Sequence, residues 1–359
     1  MRVLSSYLTS MLLARFALLF FGLTAFMISL DLMVNSNNLM HHGGLESVAR
    51  YALLRTPIVM SDFIKIAALL AGMLTFGSLI RHGELTAMWI AGVSQFGLFR
   101  RLLPIGLLLG GLQFAVDNVA APPSVDALTD WGVGEYEKSR KANAVNEITW
   151  IHVGTDVVRV RTANIADDTL SDFTVFQRDD NGNLIGRLDV GSARYSGGEW
   201  QLSNITVTPG DGGPQRFEAT RAWPISLNPD SLRHLNIHPR NLSIWQTWRF
   251  AGGDGQGTYA PYLYKTWLYE KLSTCLVPLL MLFLCAALAQ QSQRGGQVEL
   301  LFLVGAILGF AFFIFNGITL AMGEVGLLPP LFAALVPIVA FTAIAASVIY
   351  WHELKRRPA

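Results

Sequence analysis

The sequence contains little charge. Charged residues make up 15% of its 359 residues, compared with about 25% in a typical soluble domain. Hydrophobic residues make up 52%, and the mean hydropathy is +0.38. This is not the composition of an ordinary soluble protein, and it predicts a chain that lies largely in a membrane.

Cysteine is also scarce. The chain has two, Cys275 and Cys285, in the same apolar stretch. The ten residues between them correspond to about 15 Å of helix, so we expect no disulfide. The long polar part of the chain has no cysteine, so it must rely on an apolar core of its own.

Motifs that indicate catalysis are absent as well. There is no G-x-x-x-x-G-K-[ST] phosphate loop, no H-E-x-x-H, no G-x-S-x-G and no Cys/His spacing typical of a metal site. We therefore predict a chain without catalytic residues, without a metal and without a nucleotide site. His41 and His42 are adjacent, but neighbouring residues on a helix point about 100° apart, so we interpret them as surface histidines.

Long apolar stretches are the main feature that is present. A helix needs about 20 apolar residues to cross a bilayer, and most of these stretches reach that length. The first is too long for a signal-peptide core and lacks a cleavage site, so we expect it to be a span. The stretches are Leu12–Met33, Phe63–Ile80, Leu102–Val116, Trp267–Ala289, Leu300–Met322 and Leu327–Tyr350.

One polar block, Asp117–Thr266, divides the stretches three and three. We predict an α+β membrane protein in which six transmembrane helices carry an inserted extramembrane β domain. The predicted parts are residues 1–119 with three spans, 120–266 with the β domain and 267–359 with three further spans.

Basic residues predict the orientation. Cytoplasmic loops of membrane proteins are enriched in lysine and arginine, and the richer set of loops here includes both termini. We therefore expect both termini in the cytoplasm and the large domain outside, in the periplasm of a bacterial inner membrane. The richer set contains Arg2, Arg81, Arg100, Arg101, Arg294, Lys355, Arg356 and Arg357, and the poorer set contains Arg50, Arg55 and Glu324.

The polar block has the pattern of an antiparallel β protein. Val157–Arg161 alternates apolar and charged residues, and Asn181-Gly182 is a strong hairpin signal. The spacing of turn residues suits a β-sandwich, a jelly roll or an open barrel. Further strands are predicted at Phe173–Val175, Arg187–Val190, Glu199–Thr208 and Gln215–Trp223. The residues expected to line one apolar interior are Val158, Val160, Leu188, Val190, Trp200 and Leu202.

A short amphipathic helix is predicted at Asn241–Arg249, just before the chain returns to the membrane. Leu242, Trp245 and Trp248 recur at intervals of three, and Gly252-Gly253 ends the helix.

Several polar residues lie in or near the outer halves of the spans. Charge in a membrane costs at least about 2.5–3.5 kcal/mol per residue, so each needs an explanation. They either decorate the membrane interface or form the polar rim of an outward-facing cavity. Arg15 lies near the inner end of span one, where it can snorkel to water. The outer set is Asp31, Asp62, Lys65, Asp117 and Asn316.

The inner link between spans two and three, Arg81–Val93, predicts another amphipathic helix. Leu85, Met88, Trp89 and Gly92 share one face, with Glu84 at the start. This helix either rests on lipid or docks in a groove of a cytosolic motor protein.

The sequence R-x-G-E-L-x-A-M-x-x-A-G-V-S at Arg81–Ser94 resembles the coupling helix of the LptF/LptG permeases, the membrane subunits of the lipopolysaccharide-export ABC transporter. G-F-A-F-F-I-F-N at Gly309–Asn316 and G-L-L-P-P-L-F-A-A-L-V-P at Gly326–Pro337 are similar to stretches of the LptG branch. The order of the spans and the β domain matches over the whole chain.

The resemblance implies a role and a set of partners. The chain would pair with an LptF-like permease around an outward-open cavity, and lipopolysaccharide would enter between span one of one subunit and span five of the other. An LptB-like ATPase dimer, which would hold the ATP and magnesium, would act through Glu84, Leu85, Met88, Trp89 and Gly92. LptC- and LptA-like periplasmic proteins would receive the lipid from the β domain, a jellyroll-like conduit. No cofactor would be bound by this chain, and no nucleic acid would be involved.

The sequence departs from the family at the lipid headgroup. The family places basic residues at the outer ends of spans one and two, whereas this chain has Asp31 and Asn35–Asn38 in the first region. The nearest basic candidates are Arg50, Arg55 and Lys65. The arginines that the family carries just past span three are missing from Asp126–Tyr136.

Two other classes remain open at this point. A membrane scaffold or sensor that displays a β domain needs only one or two spans. Permeases of lipoprotein-release or macrolide-export systems usually have four spans, with the large domain after the first. The three-plus-three arrangement favours neither.

Overall fold

The structure is a computed structural model, described over residues 2–41, 43–133, 148–161, 165–166, 169–179, 182–196, 199–223, 237–252, 258–291 and 298–354. The chain forms two compact units. The first comprises Met1–Val125 and Tyr269–Ala359, and the second comprises Asp126–Leu268.

Helices make up the first unit and also occur at both ends of the second. The first half of the chain contains α1 (Arg2–His41), α2 (Gly44–Arg81), α3 (Glu84–Ile90), α4 (Gln95–Ala115), a π-helical segment (Val116–Ala120) and α5 (Ala121–Trp131). The second half contains α6 (Ile244–Gly252), α7 (Pro261–Ser273), a 3₁₀ turn (Thr274–Leu276), α8 (Val277–Gln291), α9 (Val298–Glu324) and α10 (Pro330–Leu354).

Within the described residues, six helical segments are long and apolar enough to cross a membrane, which confirms the predicted spans. Span three runs from α4 through the π-helical segment into α5, and span four is α7, the 3₁₀ turn and α8. The helices extend beyond the apolar stretches because intrahelical hydrogen bonds continue through polar residues. Ser94 begins α4 by accepting a hydrogen bond from the Gly97 N–H at 3.0 Å.

Span four lies at the centre of the helical core. In its most apolar window 72% of the residues are buried, compared with 22% for span one. Glycines allow the neighbouring helices to approach closely. A Cβ atom on Gly110 of α4 would overlap the carbonyl oxygen of Cys275, and Gly72 of α2 contacts the Cys285 side chain. Cys275 and Cys285 are separate free thiols.

The second unit contains one antiparallel sheet. Its main path runs in chain order as a meander, β1-β2-β4-β5-β6-β7, and β3 pairs with β4. The strands are β1 (Ile148–Val153), β2 (Asp156–Arg161), β3 (Ile165–Ala166), β4 (Thr169–Arg178), β5 (Leu184–Ser196), β6 (Glu199–Pro209) and β7 (Arg216–Trp223).

The predicted strands are confirmed, and the hairpin lies where expected. β4 pairs with β5 across a turn in which Gly182 has a φ of +84°. Asn181 lies outside the described residues. The sequence prediction missed β1, whose alternation is obscured because Ile148 and Trp150 are exposed apolar residues.

The sheet curls over its apolar face. Phe173 on β4 stacks on Trp223 on β7, with ring centroids 6.0 Å apart. A flat sheet would separate these strands by three spacings of about 4.8 Å each. The described strands therefore form a single curled sheet, closer to an open barrel than to two separate layers.

Two residues with left-handed backbone, Asp172 and Asn204, form a crease across the sheet. Asp172 on β4 and Asn204 on β6 have positive φ values of +46° and +57°. The register places both opposite Gly191 of β5, and neither pair appears in the ladder. A left-handed residue turns the strand locally, so this crease accounts for part of the curl.

The predicted amphipathic helix is confirmed as α6. It begins at Ile244, slightly later than predicted, because a 3₁₀ turn occupies Pro239–Asn241. Ser243 caps it reciprocally with Gln246: the Gln246 N–H donates to the Ser243 hydroxyl at 3.2 Å, and the Ser243 N–H donates to Gln246 Oε1 at 2.7 Å. Gly253 lies outside the described residues.

Candidate functional site

A buried ion pair joins the C-terminal part of α1 to the N-terminal part of α2. Arg55 Nε donates to Asp31 Oδ2 at 2.6 Å, and the two side chains are 15% and 9% exposed. Asn35 Nδ2 donates to Asp31 Oδ1 at 3.0 Å, and the hydroxyl of the fully buried Tyr51 donates to Asp31 Oδ2 at 3.3 Å. Two of the predicted site residues, Asp31 and Arg55, therefore neutralise each other between the helices.

A second polar cluster links spans two, four and five. Glu270 of α7 is 7% exposed, and Asn316 of α9 donates to its Oε1 at 3.3 Å. Lys65 of α2 lies within electrostatic range of Glu270. Lys65 is sixteen residues from the end of α2 at Arg81, or about 24 Å of helix, so the cluster lies in the half of the bundle distant from α3.

A third group adjoins this cluster from span three. The π-helical segment carries Asp117, whose carboxylate accepts hydrogen bonds from the Ser61 hydroxyl and, at 2.8 Å, from Gln113 Nε2. Gln113 is fully buried and also donates to the Ser61 carbonyl at 3.0 Å. Asp117 acts electrostatically on Glu270, so spans two to five share one polar region.

Most of the polar residues predicted to rim a cavity therefore lie in buried clusters. Lys65 and Asn316 lie at the Glu270 cluster, Asp31 and Arg55 pair with each other, and Asp62 is exposed. Sequence reasoning missed Glu270, although a carboxylate inside the apolar stretch Trp267–Ala289 was a visible signal. It also missed Gln113 and Tyr51, whose burial is not evident from periodicity.

Arg15, predicted to snorkel to water, is half-buried and also contacts α2. Its guanidinium donates to the Leu74 carbonyl of α2 at 2.6 Å. This charge-assisted hydrogen bond to a backbone carbonyl ties α1 to α2.

The inner link forms α3, and its apolar face is turned inward. Leu85 is 0% exposed and Met88 8%, and both belong to the chain's own helical core, with Trp89 packed against it. Ile90 on the other side is 84% exposed. Glu84 accepts a hydrogen bond from the Tyr7 hydroxyl at 3.3 Å. Burial therefore leaves Glu84, Ile90 and Gly92 accessible on this segment, whereas Leu85 and Met88 of the predicted contact lie inside the bundle.

The sheet provides a separate apolar site. The residues expected to line its interior are at most 3% exposed and lie in one cluster that also contains Phe173, Ile205 and Trp223. The expected residues are Val158, Val160, Leu188, Val190, Trp200 and Leu202.

Within the described residues no group of three or more His, Cys, Asp or Glu side chains could hold a metal ion. His42 of the adjacent histidine pair lies outside them.

A family model described as lipopolysaccharide export system permease LptF/LptG matches residues 6–351, which include all six spans and the sheet. The chain belongs to the LptF/LptG permease family.

Individual members of this family are also similar to the chain in sequence. The lipopolysaccharide export system permease protein LptG of Haemophilus influenzae is 24% identical over 322 residues, or 85% of this chain and 84% of that protein. The protein of the same name from Escherichia coli is 22% identical over 311 residues, or 82% of this chain and 83% of that protein. The predicted resemblance to the LptG branch is confirmed.

Proposed function

We propose that this chain is the LptG-like permease subunit of an ATP-driven transporter that extracts lipopolysaccharide from the inner membrane and passes it to a periplasmic bridge leading to the outer membrane. The observation that carries the proposal is the family match across both the spans and the inserted sheet. The chain supplies no chemistry of its own. ATP and magnesium belong to a separate ATPase.

The proposed orientation places both termini and α3 in the cytoplasm and the sheet in the periplasm. Support comes from the basic residues at the inner ends of the spans, such as Arg81, Arg100 and Arg101.

An LptF-like permease is the proposed partner in the membrane. The spans whose most apolar windows are least buried are span one and span five, at 22% and 28%, so α1 and α9 would face the partner or the lipid. On α9 the exposed residues recur along one stripe, which is the pattern of a helix that packs or slides against a neighbour. That stripe is Leu303, Ile307, Phe310, Ile314 and Ile318.

The lipid site is proposed at the outer half, between such subunits. Exposed apolar residues would contact the acyl chains and keep them out of water as the lipid leaves the bilayer, since each exposed CH₂ would cost about 0.8 kcal/mol. Lys65 at the Glu270 cluster and Asp31, Arg55, Asp62 and Asn316 would form the polar side. Since Asp31 and Arg55 form an ion pair, this pair positions α1 against α2 rather than serving as two independent headgroup contacts.

Coupling to an LptB-like ATPase dimer is proposed through α3. Leu85, Met88 and Trp89 would anchor α3 to the bundle, so that force applied at Glu84, Ile90 and Gly92 moves the spans as one body. The burial of Leu85 and Met88 supports this division of roles.

The sheet is proposed as the lipid conduit. Acyl chains would replace side-chain contacts in the interior around Val158, Val190 and Trp200. The outer strands of the described path, β1 and β7, could add strands from LptC- and LptA-like proteins.

The test is site-specific photocrosslinking in the reconstituted complex. A photoreactive residue at Leu30, which is 43% exposed near the outer end of α1, should capture lipopolysaccharide, and ATP should reduce the capture as the cavity empties. The matched control is Ile344, which is 41% exposed in the inner half of α10. Equal capture at both positions, or capture that ATP does not change, would mean that the probe reports only the surrounding lipid. Capture of a different exported lipid would favour another lipid-exporting permease.

A further inference from the structure

The helix α6 presents two tryptophans to its surroundings. Trp245 is 73% exposed and Trp248 57%, and their rings lie edge to face with centroids 6.4 Å apart. Arg249 beside them is also exposed. The opposite face of the helix is buried through Thr247, Phe250 and Ala251. Since tryptophan is a large, mostly apolar side chain, two of them on one exposed face need an explanation.

The position of α6 is fixed by contacts with the first turns of α7. The ring of Phe250 stacks on Tyr264, with centroids 5.1 Å apart and an interplanar angle of 21°. Tyr264 is 1% exposed. Since span four begins at Pro261, Tyr264 lies in its first turn, and α6 is held beside the end of a membrane-spanning helix.

Further contacts place the segment before α6 at the same end of α7. His238, in the segment that precedes α6, packs edge-on against Tyr259 and Trp267, with centroid distances of 5.6 Å and 5.8 Å. Tyr262, on the same end of α7, is 41% exposed. Tyrosine and tryptophan gather where a transmembrane helix leaves the hydrocarbon, because each has an apolar ring and a polar group. The outer end of span four therefore carries such a belt, and α6 packs on it.

We propose that α6 is an interfacial anchor whose face of Trp245, Trp248 and Arg249 lies in the phospholipid headgroup layer at the outer end of span four. The chemistry matches: two amphipathic rings would enter the boundary between headgroups and acyl chains, and the guanidinium would meet lipid phosphates. The anchor would hold the segment between the sheet and span four at the bilayer surface. It requires only that span four crosses a membrane, and it holds whichever lipid the permease exports.

The test is tryptophan fluorescence of the full-length protein, with its partner subunits where it requires them, in phosphatidylcholine bilayers. The emission of the Trp245→Phe/Trp248→Phe variant is subtracted from that of the wild type to isolate the two side chains. We expect the difference emission at a short wavelength, reduced by phosphatidylcholine brominated near the headgroup, and little affected by aqueous iodide.

The matched control is Trp150→Phe. Trp150 is 47% exposed on β1 of the same unit, away from α6, so its difference emission should respond to iodide and not to brominated lipid. Phenylalanine preserves much of the ring at these exposed positions, and an unchanged elution volume verifies that each variant is folded.

Three outcomes would overturn the proposal. Quenching of the Trp245/Trp248 signal by iodide but not by brominated lipid would place the face in water. Quenching by neither would mean that another protein covers it. A response that appears only after lipopolysaccharide is added to the bilayer would mean that the tryptophans stack on its saccharide instead of the phospholipid surface.

Discussion

At the scale of single residues, Asn204 illustrates how one backbone conformation shapes the sheet. It holds a φ of +57° in the middle of β6, opposite Gly191, whose added Cβ would lie 3.0 Å from that of Asn204. Asparagine tolerates this region better than most residues do, and β-branched residues tolerate it worst.

The first prediction concerns this position. Asn204→Val should destabilise the sheet unit by about 1–2 kcal/mol because of left-handed backbone strain. Asn204→Gly should be neutral or slightly stabilising, since glycine adopts this conformation freely. Hydrogen–deuterium exchange of β5 and β6 in the intact protein measures both changes. Equal protection in the two variants would mean that the left-handed backbone at Asn204 places no demand on the residue type.

His152 on β1 provides a second prediction at this scale. Burial, together with the positive charge of Arg178, lowers the pKa of His152 below its ordinary value of 6.5. Since the folded pKa lies below the unfolded one, the stability that His152 contributes is fully present above about pH 6.5 and is lost as the pH falls through the folded pKa.

Carbon-13 NMR of histidine-labelled protein measures this pKa, with His152→Gln to identify the signal. We expect a midpoint below that of an exposed histidine. A midpoint at or above the ordinary value would show that the ring is solvated.

At the scale of helices, close packing between spans three and four depends on a glycine. Gly110 and Gly111 are adjacent on α4, yet only Gly110 faces the backbone of Cys275, whereas a Cβ at Gly111 would meet nothing within 4 Å. Substituting each glycine by alanine in turn therefore distinguishes the effect of packing on stability from the effect of helix propensity.

Gly110→Ala should push α4 away from span four and lower stability by about 1–3 kcal/mol, as overpacking does. Gly111→Ala should be neutral or stabilising by up to about 1 kcal/mol, since alanine favours a helix. Thermal unfolding in detergent, followed by size-exclusion chromatography, compares the two. Similar losses in both variants would argue against the close approach at Gly110.

The short helix α3 provides the fourth prediction. Glu84→Arg reverses the charge at the proposed ATPase contact, and we expect loss of ATPase association, because like charges across an interface cost several kcal/mol. Co-purification of the ATPase with the permease measures it, and the melting temperature of the permease shows whether the bundle is intact.

Tyr7→Phe is the control, because it removes the hydrogen bond to Glu84 and keeps the carboxylate. ATPase association should survive in this variant. If Tyr7→Phe abolishes association as strongly as Glu84→Arg, then Glu84 acts within the chain by positioning α3. If neither change affects association, the contact lies elsewhere.

At the scale of the whole molecule, the orientation of the chain is the prediction with the widest consequences. A cysteine introduced in the turn at Asp211–Gly213, between β6 and β7, should react with a membrane-impermeant thiol reagent. The reagent is added to cells with a permeabilised outer membrane and an intact inner membrane. Cys275 and Cys285 provide little background, because they are partly and fully buried. Protection until the inner membrane is lysed would reverse the topology.

The sequence predicted most of the fold because its signals are local. Apolar length defined the spans, and alternation defined strands such as Val157–Arg161, because each depends on the period of one element. The outer polar residues were also visible, since a charge near a membrane is conspicuous. Their partners were not: the pairing of Asp31 with Arg55 joins two helices, and the Glu270 cluster joins three, so neither follows from spacing along one element.

The sequence by itself determined the number of spans, through apolar length, and the inserted β domain and the amphipathic character of α3 and α6, through hydrophobic periodicity. Tertiary structure decided which face of each short helix is covered. Periodicity marked Leu85 and Met88 as an apolar face but could not reveal that the bundle itself buries them and leaves Ile90 outside. It marked Trp245 and Trp248 in the same way, and there the structure leaves them exposed, because Phe250 occupies the contact with Tyr264. An amphipathic pattern specifies that a face will be buried, whereas the packing of the remaining chain selects what buries it.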